Sequence, residues 1–137
     1  MAVTNYTGIL EAIKTKITAE GFVYKNANAW FNMELGTLPT SALQNGYAVR
    51  FTEQETGRYE STNFVTLGLE IEFALNPLND LYASKIGDCT KAIRSLESTT
   101  HNDIEMVEAE TDYSATYTDE VVVVTFDNIN IQIRNLN

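Results

Sequence analysis

The segment FVTLGLEIEFAL, from Phe64 to Leu75, alternates apolar and polar side chains over most of its length. The apolar side chains occupy the odd positions, and the even positions include Thr66, Gly68, Glu70 and Glu72. Successive side chains of a β-strand point to opposite faces of its sheet, so the segment is predicted to be a strand with one covered and one open face. This one-sided pattern is typical of antiparallel sheets.

A second strand precedes this one and is predicted to form a hairpin with it. YAVRFTE, residues 47–53, places Tyr47, Val49 and Phe51 on one face. The stretch QETGRYESTN between the two strands, residues 54–63, is longer than a tight turn requires and too rich in polar side chains to bury. We therefore predict a projecting or mobile loop there.

Two amphipathic helices are predicted on either side of the hairpin. The first carries apolar residues at helical spacing from Tyr6 to Ile17, and Gly21 suits the left-handed position that follows a helix. A short strand is expected around Val23. Pro77 suits the first turn of the second helix, whose apolar centre consists of Ile86, Cys89, Ile93 and Leu96.

Weaker alternation follows from Ile104 to Tyr117 and predicts further strands before a hydrophobic final strand. We therefore predict a single α+β domain over residues 1–137, with a mostly antiparallel sheet and two amphipathic helices packed on one face. The length of 137 residues agrees with one domain.

The final strand, VVVVTFDNINIQIR from Val121 to Arg134, changes its pattern at Asp127. Both faces are apolar before Asp127, whereas only the odd positions are apolar after it. A bulge at Asp127 would keep one long strand, and a turn at residues 127–128 would make a hairpin; the sequence leaves both open. Because one sheet and two helices offer cover for a single face, we predict subunit-interface residues on the other: Val122, Val124 and Phe126.

Charge is unevenly distributed along the chain. The net charge is −10, and no Lys or Arg occurs between Arg94 and Arg134. This negative net charge argues against binding along nucleic acid, because such binding needs clustered Lys and Arg side chains. The same interval contains many acidic residues, which favour either a solvated face or a surface that repels DNA.

Few residues suggest catalysis. His101 is the only histidine and Cys89 the only cysteine, and no phosphate-binding or nucleophile-elbow motif is present. Cys89 falls in the apolar stripe of a helix, where a thiol is inert. We expect no catalytic residue, cofactor or metal ion, and take the Glu70 and Glu72 pair as part of a solvated sheet face. The N-terminus does not have the pattern of a signal peptide and no apolar run reaches the ~20 residues of a membrane span, so cytoplasmic synthesis without a membrane is expected.

The order of these elements resembles the tail terminator, or tail completion, proteins of long-tailed bacteriophages, including the lambda-type terminator and related head-to-tail joining proteins. Four segments carry the resemblance: YTGILEAIKTKI (6–17), YAVRFTEQETGRYESTNFVTLGLEIEFAL (47–75), NPLNDLYASKIGDCTKAIRSL (76–96) and DYSATYTDEVVVVTFDNINIQIR (112–134). Together they cover nearly the whole chain. The C-terminal INIQIRNLN extends further than the family pattern.

The resemblance implies a structural protein of the virion tail, assembled in the host cytoplasm and not an enzyme. Such proteins form a hexameric ring that caps the tail tube, stops its polymerisation and contacts the head connector, while DNA passes through without specific binding. Candidates for contact with the tail-tube protein lie in the predicted loop: Glu53, Glu55, Arg58, Tyr59 and Glu60. Candidates for an acidic lumen lie in the acidic interval: Asp103, Glu105, Glu108, Glu110 and Asp112.

Two alternatives remain open. A small dimeric α+β ligand-binding protein would bury the two-sided strand in a twofold interface, and a head-completion protein would share the same core. An enzyme with an unrecognised acidic site is a further possibility.

Overall fold

A computed structural model describes residues 6–25, 45–59, 62–76, 82–101, 104–117 and 121–133. Pro77, Asp103, Glu60 and Arg134 lie outside the described residues. The helices are α1 (Tyr6–Ala19) and α2 (Tyr82–Ser95), the latter continued by a 3-10 turn (Leu96–Ser98). The strands are β1 (Val23–Tyr24), β2 (Gly46–Tyr59), β3 (Thr62–Leu75), β4 (Ile104–Ala109), β5 (Ser114–Tyr117) and β6 (Val122–Ile133).

All six strands of the described part of the chain belong to one sheet. Its order is β1-β2-β3-β6-β4, and β5 also pairs with β6. Only the short β1–β2 pair is parallel, whereas the other pairs are antiparallel. This arrangement confirms the predicted α+β fold with a mostly antiparallel sheet.

Strands β4 and β5 lie end to end along the same side of β6. Ala109 is opposite Ile129 and Ser114 is opposite Thr125, so the two strands form one edge strand interrupted at residues 110–113. The opposite side of β6 pairs with β3 along nearly its full length. Strands β3 and β6 are therefore the interior strands on which the core is built.

Both helices pack on one face of the sheet. Ile9, Ile13 and Ile17 of α1 are fully buried, and they share a core with Cys89 and Ile93 of α2. The odd positions of β3 from Val65 to Leu75 form the sheet side of this core. The predicted packing face is thus confirmed.

The end of α1 follows its predicted signal. Gly21 has a φ of 98°, a left-handed conformation that glycine adopts without the penalty of a Cβ. The chain then turns back, and the ring of Phe22 packs against that of Phe73 with centroids 4.7 Å apart. This hydrophobic contact fixes the direction in which β1 leaves the helix.

Strand β6 contains a bulge near Asp127 and is a single strand. Between the pairs Leu69–Ile129 and Ile71–Phe126, the chain advances three positions on β6 but two on β3. The extra residue exchanges the faces of odd and even positions. The hairpin alternative at residues 127–128 is therefore wrong.

The bulge also decides which side chains of β6 enter the core. Val122, Val124 and Phe126 are fully buried against the helices, and Ile129, Ile131 and Ile133 lie on that same face. The first three were expected to meet a neighbouring subunit, and that face assignment is wrong because they belong to the core of their own chain.

The opposite face of the early part of β6 is also covered. Val121 and Val123 are 1% and 5% exposed and lie outside the main core cluster. Val123 pairs with Ala74 of β3, which is equally inaccessible. The two-sided apolar pattern is therefore satisfied within the chain.

A second bulge lies in β2 beside the first. Phe51 pairs with Leu69 and Glu53 with Gly68, so Thr52 is the extra residue. Since β3 is flanked by bulges at adjacent positions on both sides, the sheet is bent along this line. A Cβ on Gly68 would lie 2.8 Å from both Glu53 Cγ and Thr52 Oγ1, which explains why glycine occupies the position.

Candidate interaction surfaces

The polar segment between β2 and β3 is a paired hairpin and not an irregular loop. Register continues from Glu53–Gly68 to Tyr59–Thr62. The predicted loop at residues 54–63 is therefore wrong. The charged residues of the segment favoured a loop in the sequence analysis. Strands that extend beyond the core, however, can form without alternating apolar residues.

The end of this hairpin continues beyond the described part of β6. The last pair between β3 and β6 is Val65–Ile133, whereas β2 and β3 continue to pair as far as Tyr59–Thr62. We call residues 57–59 and 62–64 the hairpin arm. Its three pairs extend roughly 10 Å beyond the last β6 pair, at ~3.3 Å per residue.

The predicted tube-contact residues are spread along this hairpin. Arg58 and Tyr59 lie in the arm, where they pair with Asn63 and Thr62. Glu55 pairs with Thr66 below the arm, and Glu53 is exposed beside the β2 bulge. The structure therefore places only Arg58 and Tyr59 of the described candidates at the projecting end.

The N-terminus of α1 contacts the part of β2 that precedes the arm. The Tyr6 ring meets Phe51 edge to face with centroids 5.0 Å apart. The Tyr6 hydroxyl donates a hydrogen bond to Gln54 Oε1. These two contacts join the helix to the part of β2 that precedes the arm, and no local sequence pattern indicates them.

An acidic edge occupies the opposite side of the sheet. We use this name for the exposed carboxylates Glu105, Glu108, Glu110 and Asp112, which follow β4 and the interruption before β5. Glu110 is held in place because Asn128 Nδ2 donates to its Oε2 over 2.6 Å. The structure therefore brings together the described lumen candidates, while their role stays a prediction.

Large apolar side chains are exposed on the same edge. Met106, Tyr113 and Tyr117 are 46%, 48% and 57% exposed. The Tyr113 ring still contacts Phe126, with centroids 5.9 Å apart. Exposed tyrosine and methionine among carboxylates are more typical of a protein-binding surface than of a surface that contacts only solvent. Alternation in the sequence indicates a strand around Tyr113 and Tyr117 but does not indicate that their side chains are exposed.

The sheet face away from the helices, which we call the open face, carries cross-strand polar pairs. Arg50 Nη2 lies 2.7 Å from Glu70 Oε2. The two groups form an ion pair whose angles do not meet those of a hydrogen bond. Thr125 Oγ1 donates to Glu72 Oε2 over 3.2 Å. Both carboxylates thus have partners in neighbouring strands, an arrangement that stabilises the sheet.

A shallow cleft lies between α1 and residues 99–101. Its volume is about 410 Å³. Its lining consists of Gly8, Glu11, Ala12, Thr15, Lys16, Thr99, Thr100 and His101. Lys16 Nζ donates to Ser98 Oγ over 2.9 Å at its margin. The lining offers three threonine hydroxyls, one amine, one carboxylate and one imidazole, groups suited to polar contacts.

Cys89 does not contribute a reactive thiol to any surface. Cys89 lies on the core side of α2, and its side chain is fully buried. Burial raises the pKa of the thiol to about 12, so it remains protonated at neutral pH. The predicted role as a small core residue is confirmed.

Within the described ranges, no group of three or more His, Cys, Asp and Glu side chains is placed to hold a metal ion. No described helix has both the length and the apolar character needed to cross a membrane. Comparison with known proteins gave no matching family model and no significant match among curated proteins. Functional inference therefore depends on the surfaces themselves.

Proposed function

We propose that this chain is a virion assembly protein that forms a ring on the end of a bacteriophage tail tube, stops tube polymerisation and joins the tail to the head connector. The observation that carries the proposal is the hairpin arm, which continues past the last described β6 pair and contains Arg58 and Tyr59. A ring contacts the ring below it through elements on its rim, and the arm is such an element.

The rest of the architecture supports this role. A closed ring requires two different surfaces on each subunit, since each copy contacts one neighbour on either side. The sheet has two chemically different sides, one at β2 and one at the acidic edge. A hexameric ring with carboxylates along its channel would let DNA pass, because like charges prevent adhesion.

A tube-length assay tests the function directly. Purified protein is added to the cognate tail-tube protein as it polymerises, and tube lengths are measured by electron microscopy. We expect shorter tubes, each with extra density at one end, at substoichiometric amounts of protein. An unchanged length distribution in tenfold excess of protein would exclude the terminator function.

The cleft beside α1 favours a second candidate, a small dimeric ligand-binding protein. Native mass spectrometry over a range of concentrations separates the two. A dimer that persists without larger species supports the second candidate, whereas a ring or its partial assemblies support the first.

A further inference from the structure

We draw no further inference here: the strongest candidate, the cleft between α1 and residues 99–101, supports none because Lys16 Nζ is bonded to Ser98 Oγ, the unpartnered Thr99 Oγ1 is shielded from the cleft, and nothing else in its described lining points to one class of ligand.

Discussion

At the scale of single residues, Gly68 is required by the close approach of two strands. A methyl group there would meet Glu53 Cγ and Thr52 Oγ1 at 2.8 Å. Because the side chains of Thr52 and Glu53 must move to admit it, we expect Gly68→Ala to lower the free energy of unfolding by about 1–3 kcal/mol. Urea denaturation followed by circular dichroism measures the change.

Gly87 provides the matched control for that substitution. It lies on the exposed side of α2, and a Cβ there would have no atom within 4 Å. Alanine is the better helix former, so Gly87→Ala should stabilise the protein by about 0.5–1 kcal/mol. Equal effects at both glycines would contradict the proposed crowding at Gly68.

Cys89 makes stability depend on alkaline pH. Its pKa is raised by burial from 9.0 to about 12, so the unfolded chain loses this proton first as the pH rises. The stabilising contribution is complete below pH 9 and is lost as the pH rises towards 12. At one unit above the unfolded pKa, the loss is about 1.4 kcal/mol.

Comparison with Cys89→Ala isolates this effect from other groups that titrate at high pH. We expect the stability advantage of the wild type over the variant to shrink by about 1.4 kcal/mol between pH 8 and 10. Urea unfolding at several pH values measures it. A difference that stays constant with pH would mean that the thiol ionises equally in both states.

At the scale of elements, the bulge in β6 holds two apolar halves on one face. Removal of Asp127 should restore simple alternation and keep Ile129, Ile131 and Ile133 on the core face, because Phe126 and Ile129 would then lie two positions apart, as Ile71 and Leu69 do. We expect the deletion variant to remain folded by circular dichroism and one-dimensional NMR.

The substitution Asp127→Ala separates the bulge from the side chain. Asp127 is exposed, so its replacement should change stability by no more than about 0.5 kcal/mol. An unfolded deletion variant would contradict this expectation and show that the bulge itself is needed for the pairing of β6 with β3.

The elements that could be predicted from the sequence are those with local periodicity. Helix α1 and strand β3 repeat their apolar residues at the helical and strand periods, and both formed where expected. The hairpin arm could not be predicted in this way because its residues pair through their backbones. Backbone pairing is independent of the polarity pattern on which the prediction relied.

The face of β6 was the second failure, and its cause is tertiary. The change of pattern at Asp127 correctly marked a bulge as one of two solutions. The choice of which valines enter the core depends on register with β3, where Phe73 is opposite Val124. Register between distant segments is not encoded in local alternation. For the same reason, the sequence identified the acidic residues but not the sheet edge on which they align.

The arm provides a prediction that separates binding from folding. Arg58→Ala combined with Tyr59→Ala should weaken binding to the tail tube at least tenfold, which is about 1.4 kcal/mol, while the melting temperature is unchanged. Cosedimentation with preformed tubes measures the affinity. Arg94→Ala, an exposed residue on α2, is the control and should bind as the wild type does. A large drop in melting temperature would mean that the pair stabilises the fold.

At the scale of the whole molecule, the two sides of the sheet differ both in their structural elements and in their charges. The helices cover one face, the arm projects at one end, and the acidic edge faces away from the cations of β2. The net charge of −10 opposes contact with DNA anywhere on the surface. A channel lined by the acidic edge would apply that repulsion where DNA passes.

Placing lysines in the proposed channel should convert this repulsion into binding. Glu108→Lys with Asp112→Lys changes two exposed carboxylates of the acidic edge, and Glu11→Lys with Asp88→Lys makes the same charge change on the helices. In the assembled ring, we expect the first variant to retain duplex DNA in a filter-binding assay and to release it as salt rises. The helix variant should retain far less, because its lysines lie outside the channel where they are not concentrated around one duplex. Equal retention by the two variants would show that the acidic edge does not line the channel, and the DNA path would then have to follow another surface of the ring.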